Sequence, residues 1–300
     1  MDLQKFFNTR FGVGLGLALG RVVPPRFGYW ITGLFAKQLA KWDSSPIVRA
    51  VRKNQWVVRG ASLDPFSLDL AVEEVFAHQG RCFIDLYSNL KNPDGLKRLV
   101  VDSAQIRELI QHSQNRTLGA FLVAPHISNF DLCLLALAYR GLNAQVLSYS
   151  QPTGGYKIQN DIRTQTGLDI TPVSPEVHID AIENMKNGGL VITAVDRPVR
   201  RKTQYLNFFG RPSPLPAGHI RMAIEAGVPV IVASASMNDQ GTYQIHLSDP
   251  IPMQLYIDSD KAIKVNGEKI LSVIEKRIIA NPGQWLMYFP VWPDVEISRD

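Results

Sequence analysis

His126 and Asp131 are the pair of side chains in this sequence best placed for acid–base chemistry. They open and close the segment HISNFD, residues 126–131, and a histidine whose ring is held by a carboxylate can act as a general base near neutral pH. Side chains five apart on one helix point about 140° apart, so the pair meets only if His126 lies in a loop before a helix. With Ser128 as N-cap, Asp131 becomes the third helical residue, and we expect its carboxylate to bend back and accept the ring N–H of His126.

An alternative is that Asp131 only caps its helix and His126 is an ordinary loop histidine. The sequence contains no G-x-S-x-G segment, and neither Cys82 nor Cys133 is adjacent in sequence to a candidate base. A His–Asp dyad without a protein nucleophile suits deprotonation of a substrate hydroxyl. The second pair of this spacing, His178 and Glu183, falls within or at the start of a predicted helix, and we expect it to be solvated.

A second group of polar residues follows the apolar run 190–195. Asp196 and Arg197 come first, then the basic run 200–202, then Gly210 and Arg211 before a predicted helix from residue 216. Arginine side chains and the N–H groups of a helix N-terminus bind phosphate or a developing oxyanion. The alternatives are a solvated basic loop and a structural Asp196–Arg197 ion pair. His219 and His246 are expected to serve packing or surface roles.

Alternating elements are predicted around these residues. Apolar runs of strand type cover residues 118–124, 145–149, 168–173, 190–195, 229–235 and 242–247, and helical patterns cover 66–79, 102–112, 128–139, 156–166, 176–187, 216–226 and 258–280. Continuous apolar strands alternating with helices predict an α/β fold with a mainly parallel central sheet covered by helices on both faces. Ligands of such sheets bind beyond the carboxyl ends of the strands, where His126 and Asp196 lie.

The N-terminal segment is basic and apolar. The chain has 300 residues and a net charge of +5, but residues 1–60 hold ten basic and only two acidic side chains. The apolar runs 11–20 and 27–39 are each shorter than the roughly 20 residues that a spanning helix needs. We therefore predict that residues 1–42 form membrane-associating helices at an anionic surface, with residues 43–300 as one α/β domain. Two buried core helices are the alternative.

Composition excludes several other classes of protein. Apolar residues make up 45% and charged residues 20% of the chain, as in folded soluble proteins. Two cysteines indicate a reducing compartment rather than a disulfide framework. No Cys/His spacing typical of zinc is present, and no motif for nucleic acid binding is visible, so neither a metal nor a nucleic acid partner is expected.

The ordered motifs resemble those of the lysophospholipid acyltransferase superfamily, in the branch of bacterial lipid A late acyltransferases and phosphatidylinositol mannoside acyltransferases. His126–Asp131 is similar to the H-x4-D motif, with Asn129 at its usual place, and Arg163 with Gly167 is similar to an R-x3-G block. Further resemblances are Asp196-Arg197 followed by FFGRP (208–212) and LPAG (215–218), GVPV (227–230) and the closing PGQWLMYFP (282–290).

The resemblance implies transfer of a fatty acyl chain from acyl-CoA or acyl carrier protein to a hydroxyl of a membrane glycolipid or lysophospholipid. It implies no metal and no cofactor besides the acyl donor, and a location at the cytoplasmic face of the inner membrane. His126 and Asp131 are the implied catalytic residues. The implied substrate-binding residues are Asn129, Arg163, Asp196, Arg197, Gly210 and Arg211.

Two other functions stay open at this point. A thioesterase or other hydrolase would use the same dyad with water as the nucleophile. A non-catalytic membrane lipid-binding relative is the second, because Ile127, Ser128 and Pro198 stand where the family usually has other residues.

Overall fold

The computed structural model describes residues 24–151, 154–199 and 204–297. Within these ranges the first five helices are α1 (Pro25–Ala40), α2 (Pro46–Val58), α3 (Pro65–Asn89), α4 (Pro93–Leu99) and α5 (Ala104–Asn115). The central part contains β1 (Ala120–Ala124), α6 (Phe130–Tyr139), β2 (Gln145–Ser148), α7 (Gly155–Thr164), β3 (Asp169–Pro172), α8 (Pro175–Lys186) and β4 (Leu190–Ala194). The last part contains β5 (Leu206–Phe208), β6 (Arg211–Ser213), α9 (Gly218–Ala226), β7 (Val230–Met237), β8 (Tyr243–Leu247), α10 (Ser259–Ala280) and a 3-10 turn (Pro282–Gln284).

The six-stranded sheet confirms the predicted α/β fold. Its strand order is β3-β2-β4-β1-β7-β8, and every neighbouring pair is parallel except the antiparallel β7–β8 pair at one edge. A separate two-stranded hairpin consists of β5 and β6. The sequence did not predict this hairpin, because strands of three residues are too short to show a periodic pattern.

The two faces of the sheet belong to two apolar cores. In β1, Leu122 packs into the core that contains α3, α5 and α6, while Phe121 and Val123 pack into the core that contains α8, α9 and α10. This alternation follows from the two-residue period of a strand. Helices therefore cover both faces, and the short loops beyond the strands carry the polar residues.

Helix α1 contains the second predicted apolar run and packs along α3. Gly28 and Gly80 allow the close approach, since a Cβ at Gly80 would lie 2.4 Å from Thr32 Cβ. The contact lies just past residue 79, where the sequence predicted the end of a helix that in fact continues to Asn89. Among the residues that the structure describes, no helix is long and apolar enough to cross a membrane.

Two predictions about the N-terminal segment are not tested by the described residues. The first apolar run, residues 11–20, lies outside the described residues, and the domain boundary after residue 42 stays a prediction. Helix α2 occupies a stretch for which the sequence predicted no helix, and it buries one face through Val48, Val51 and Val57.

Candidate active site

His126 lies in the loop between β1 and α6, where the C-terminal segment of the chain pairs with it. The carbonyl oxygen of His126 accepts a hydrogen bond from the Leu286 N–H at 2.8 Å, and the Ser128 N–H donates to the Gln284 carbonyl at 2.7 Å. Ile127 and Trp285 form an antiparallel bridge between these bonds. This isolated bridge fixes the loop on one side and holds the His126 backbone in place.

Asp196, and not Asp131, holds the ring of His126. The Nδ1 atom of His126 lies 2.6 Å from Asp196 Oδ1, and the His126 backbone N–H donates to Asp196 Oδ2 at 2.8 Å. The indole Nε1–H of Trp285 donates to the same Oδ2 at 2.8 Å. Three donors therefore fix a carboxylate whose side chain is 0% exposed, and bonds of this charge-assisted kind are among the strongest in proteins.

The strand register explains why these two residues meet. Ala124 of β1 pairs with Ala194 of β4 in a parallel ladder, and His126 and Asp196 each follow two residues later. Equivalent positions beyond neighbouring parallel strands lie side by side at one edge of the sheet. The sequence predicted that His126 and Asp196 each follow the end of a strand. It did not predict that the two residues are neighbours, because the register between β1 and β4 cannot be read from the sequence.

The electrostatics favour an ionised carboxylate beside the imidazole. Burial alone would lower the pKa of His126, but the charge and hydrogen bond of Asp196 outweigh it, so the pKa of His126 is raised. Burial would raise the pKa of Asp196, but His126 and the Trp285 N–H lower it below its usual value. The ring nitrogen Nε2 has no hydrogen-bond partner among the described residues, and the His126 side chain is 24% exposed. Nε2 is therefore the atom available to a substrate.

The predicted bond between Asp131 and His126 is wrong. Asp131 instead forms an ion pair with Arg163 of α7, with Nε at 3.0 Å from Oδ1 and Nη2 bonded to the same oxygen. Asn160 accepts a further bond from Arg163 at 3.1 Å. The charge of Asp131 still acts on the ring through space and contributes to raising the pKa of His126. The H-x4-D motif thus contributes one residue to the dyad and one to an adjacent ion pair.

The carboxylate of Asp131 was predicted in the wrong place because helix α6 starts one residue later than expected. Asn129 rather than Ser128 is the N-cap of α6, since its side-chain oxygen accepts the Leu132 N–H at 3.4 Å. Ser128 has a positive φ of 55°, and its hydroxyl shares a 2.9 Å hydrogen bond with His78 Nε2. That hydroxyl is therefore held by His78 and not by His126.

Asn129 holds the loop rather than facing the open side of the site. Its amide nitrogen donates to the Cys82 carbonyl at 2.8 Å and to the Tyr243 hydroxyl at 3.3 Å. The residue is 4% exposed. These bonds occupy both amide hydrogens inside the protein, so the expected substrate contact of Asn129 is replaced by a structural role.

Arg197 is the cation beside the dyad. Its guanidinium lies 3.9 Å from the centre of the Phe289 ring, and Nη1 donates to the Tyr156 hydroxyl at 3.1 Å. Its positive charge lowers the pKa of His126, against the larger effect of Asp196. No carboxylate among the described residues forms an ion pair with Arg197, so the structural Asp196–Arg197 pair considered as an alternative does not form. The guanidinium can therefore meet an anionic substrate group.

Gly210 and Arg211 lie at the turn of the β5–β6 hairpin. Gly210 has a positive φ of 69° that the turn requires, and the Arg211 guanidinium lies 5.7 Å from the Trp56 ring centre. The hairpin presents Phe208 edge-on to Trp285, with ring centres 6.2 Å apart. It therefore supports the indole that binds Asp196. The basic run 200–202 lies outside the described residues.

The remaining candidates have packing or surface roles. His219 is buried against Phe121 with ring centres 6.2 Å apart, and burial lowers its pKa to about 3. His246 shares a 2.8 Å hydrogen bond with Ser236. Cys82 and Cys133 are free and buried, and burial raises the pKa of Cys133 to about 12 and that of Cys82 further. Neither thiol is a ready nucleophile.

Comparison with known proteins identifies the family. Residues 72–293 match the model of the bacterial lipid A biosynthesis acyltransferases, a segment that contains the whole dyad and its supports. The chain belongs to this family. This confirms the resemblance that the motifs indicated.

Individual relatives are more distant. Phosphatidylinositol mannoside acyltransferases from two strains of Mycobacterium tuberculosis are each 26% identical over 189 residues, which is 61% of this chain and 57% of each relative. The protein of the same name from Mycolicibacterium smegmatis is 24% identical over 185 residues, or 58% of this chain and 57% of the relative. The chain thus matches little more than half the length of these curated relatives.

Proposed function

We propose that this protein transfers a fatty acyl chain from an acyl thioester, acyl-CoA or acyl carrier protein, to a hydroxyl group of a membrane glycolipid or lysophospholipid. The observation that carries the proposal is the Asp196–His126 pair, in which Nδ1 is bound at 2.6 Å and Nε2 is left without a partner among the described residues. Membership of the acyltransferase family supports the reaction class.

In the proposed mechanism, the Nε2 atom of His126 takes the proton of the acceptor hydroxyl. The acceptor oxygen attacks the thioester carbonyl, and the carbonyl electron pair moves onto oxygen. When the tetrahedral intermediate collapses, the carbon–sulfur bond breaks and the imidazolium returns the proton to the thiolate. The products are an ester and a free thiol. Asp196 keeps the proton of the neutral ring on Nδ1 and stabilises the imidazolium that forms.

Arg197 supplies positive charge next to this reaction. It has no acidic partner among the described residues, and the ring of Phe289 holds its guanidinium plane at 3.9 Å. A preorganised cation of this kind can bind a phosphate group of the donor or acceptor, or stabilise the developing oxyanion. Arg163 supports the site indirectly, because Asp131 occupies its Nε and Nη2 atoms.

The acceptor that the comparisons favour is a glycosylated phospholipid. The three curated relatives are named phosphatidylinositol mannoside acyltransferases. The family is named for the biosynthesis of lipid A, which is also a glycolipid. Both acceptors combine sugar hydroxyls with phosphate, which suits a general base beside Arg197, a cation that forms no ion pair within the described part of the chain.

We further propose that the protein works on the cytoplasmic face of the inner membrane and that α1 lies on the lipid surface. Helix α1 exposes Phe27, Trp30, Leu34 and Phe35 on the side away from α3, and it contains Arg26 and Lys37 but no acidic residue. An apolar and aromatic face with flanking cations is typical of helices that lie in the membrane interface.

The test of the reaction measures thiol release and ester formation together. Purified protein is incubated with a long-chain acyl-CoA, with and without dispersed phosphatidylinositol mannoside or lysophospholipid. We expect thiol release that depends on the acceptor, and about a 10³-fold or greater loss in His126→Ala at unchanged circular dichroism. Thiol release that is equally fast without acceptor would indicate a hydrolase, and normal turnover by His126→Ala would refute the mechanism.

The membrane proposal has its own test. Flotation with vesicles that contain anionic lipid is compared between the wild type and a Trp30→Ser/Phe35→Ser variant. Both side chains are exposed to solvent, and neither touches the His126–Asp196 pair. We expect the variant to lose most of its binding. Equal flotation of the two proteins would contradict a role of this face of α1.

A further inference from the structure

A chain of hydrogen bonds joins α1 to the loop that carries His126. The Tyr29 hydroxyl of α1 donates to Asp85 Oδ1, and the Tyr243 hydroxyl of β8 donates to Asp85 Oδ2 at 2.5 Å. The Tyr243 oxygen in turn accepts the Asn129 amide at 3.3 Å. These four residues, Tyr29, Asp85, Tyr243 and Asn129, are called here the Tyr–Asp–Tyr–Asn chain.

Three of the four residues lie almost completely out of contact with water, and Tyr29 at the α1 end is half-buried. Tyr243 is 0% and Asp85 is 3% exposed, so the bonds that Tyr243 forms with Asp85 and Asn129 act in a medium of low dielectric constant, where a missing partner is costly. Burial is also the main reason why the pKa of Asp85 is raised. The Arg81 guanidinium covers the Tyr29 ring at 4.8 Å, which closes the side of the chain nearest to α1.

The far end of the chain sets the position of the catalytic loop. Asn129 follows His126 by three residues and caps α6 through Leu132. Its second amide bond, to the Cys82 carbonyl at 2.8 Å, fixes the loop to α3. A rotation of the Asn129 amide would therefore move the backbone that holds His126 against Asp196.

We propose that Tyr29 is a positioning residue for acyl transfer. Its hydroxyl, through Asp85 and Tyr243, fixes Asn129 and thereby the loop backbone that carries His126. The inference rests on the proposed function for its kinetic consequence. It also makes the order of the catalytic loop depend on α1, the helix whose opposite face we propose to lie on the membrane.

The test uses Tyr29→Phe, which keeps the ring beneath Arg81 and removes only the hydroxyl. The matched control is Thr32→Val on the same face of α1, whose hydroxyl bonds to carbonyl oxygens of its own helix at 3.0 and 3.2 Å. We expect kcat to fall about five- to tenfold in Tyr29→Phe, with KM for both substrates within about twofold, while Thr32→Val keeps the wild-type kcat. Tyr243→Phe is expected to behave like Tyr29→Phe, and the double variant to lose no more than about twofold beyond the worse single variant.

A spectroscopic readout separates positioning from a general loss of structure. The His126 Nδ1 proton in its 2.6 Å bond to Asp196 is expected to give a downfield proton resonance that disappears in His126→Ala. In Tyr29→Phe we expect this resonance to shift or broaden at full circular dichroism, and in Thr32→Val to stay unchanged.

An unchanged resonance in Tyr29→Phe overturns the inference, whatever Tyr243→Phe shows, as does an equal change in Thr32→Val. The resonance is measured without substrate. If the wild-type protein transfers no acyl chain, the proposed function fails, and the resonance still decides whether Tyr29 positions His126.

Discussion

Replacement of Asp196 by Asn is the most direct probe of the dyad. The carboxylate accepts two hydrogen bonds at Oδ2, from the His126 backbone N–H and from Trp285, and one at Oδ1 from the His126 ring. An asparagine whose side-chain oxygen replaces Oδ2 keeps the first two bonds. Its NH₂ group then faces Nδ1, and two donors cannot share that bond. The ring must turn Nδ1 into an acceptor, which places its proton on Nε2.

The magnitude follows from two losses. The charge-assisted bond to Asp196 contributes about 1.5–3 kcal/mol, which alone corresponds to a roughly 10- to 150-fold decrease in rate. The exchanged tautomer adds a further loss, because Nε2 with a proton cannot act as the base. Since the same substitution in a serine protease triad lowers kcat about 10⁴-fold, we expect a decrease of about 10³- to 10⁴-fold in kcat for Asp196→Asn.

The assay is acceptor-dependent thiol release from a long-chain acyl-CoA, with circular dichroism as the check of folding. Asp131→Asn is the matched control, because it removes a carboxylate of the same motif region that bonds to Arg163 and not to His126. We expect this control to lose about tenfold or less, as for a partly exposed ion pair. If Asp196→Asn stays within tenfold of wild type, or if Asp131→Asn is the more damaged protein, the assignment of Asp196 as the partner of His126 is refuted.

Two further predictions concern pH. The charge of Asp131 raises the pKa of His126, and the base must be neutral, so the acidic limb of kcat/KM in Asp131→Asn should move to lower pH; a move to higher pH would contradict this. Burial lowers the pKa of His219 to about 3. Between the usual pKa of histidine and pH 3, the unfolded chain therefore binds more protons than the folded one. The free energy of unfolding falls there as the pH falls, by up to about 1.4 kcal/mol per pH unit. When urea unfolding is measured at several pH values, the free energy of unfolding should fall less steeply with falling pH in His219→Phe than in the wild type, and equal pH dependence of the two proteins would contradict this.

The strands were predictable from the sequence because their composition leaves few alternatives. The run around Leu190–Ala194 is apolar, rich in β-branched residues and followed by a polar pair, and the structure places β4 there with Asp196 beyond its end. Helix α2 was missed because Pro46–Val58 contains three basic residues among its apolar positions, and its buried face becomes visible only against its neighbours.

The dyad was half predictable. His126 followed from its place after β1, but its partner was expected at Asp131 because nearness in sequence favoured it. Two facts changed the outcome, and both depend on tertiary structure: the register of β1 with β4, and the Trp285 indole that arrives from the far end of the chain. Helix boundaries that differ by one residue, as at Ser128 and Asn129, are common, and here one residue was enough to aim Asp131 at Arg163.

Trp285 gives the site a dependence on the order of synthesis. The ribosome makes His126 and Asp196 well before the segment that bridges Ile127 and donates to the carboxylate. At about 5–20 residues per second, the 89 positions between Asp196 and Trp285 take roughly 4–18 s to add. A nascent or prematurely terminated chain without Trp285 therefore lacks one of the three donors to Asp196, and the His126–Asp196 pair gains its full set of hydrogen bonds only after this later segment has been made.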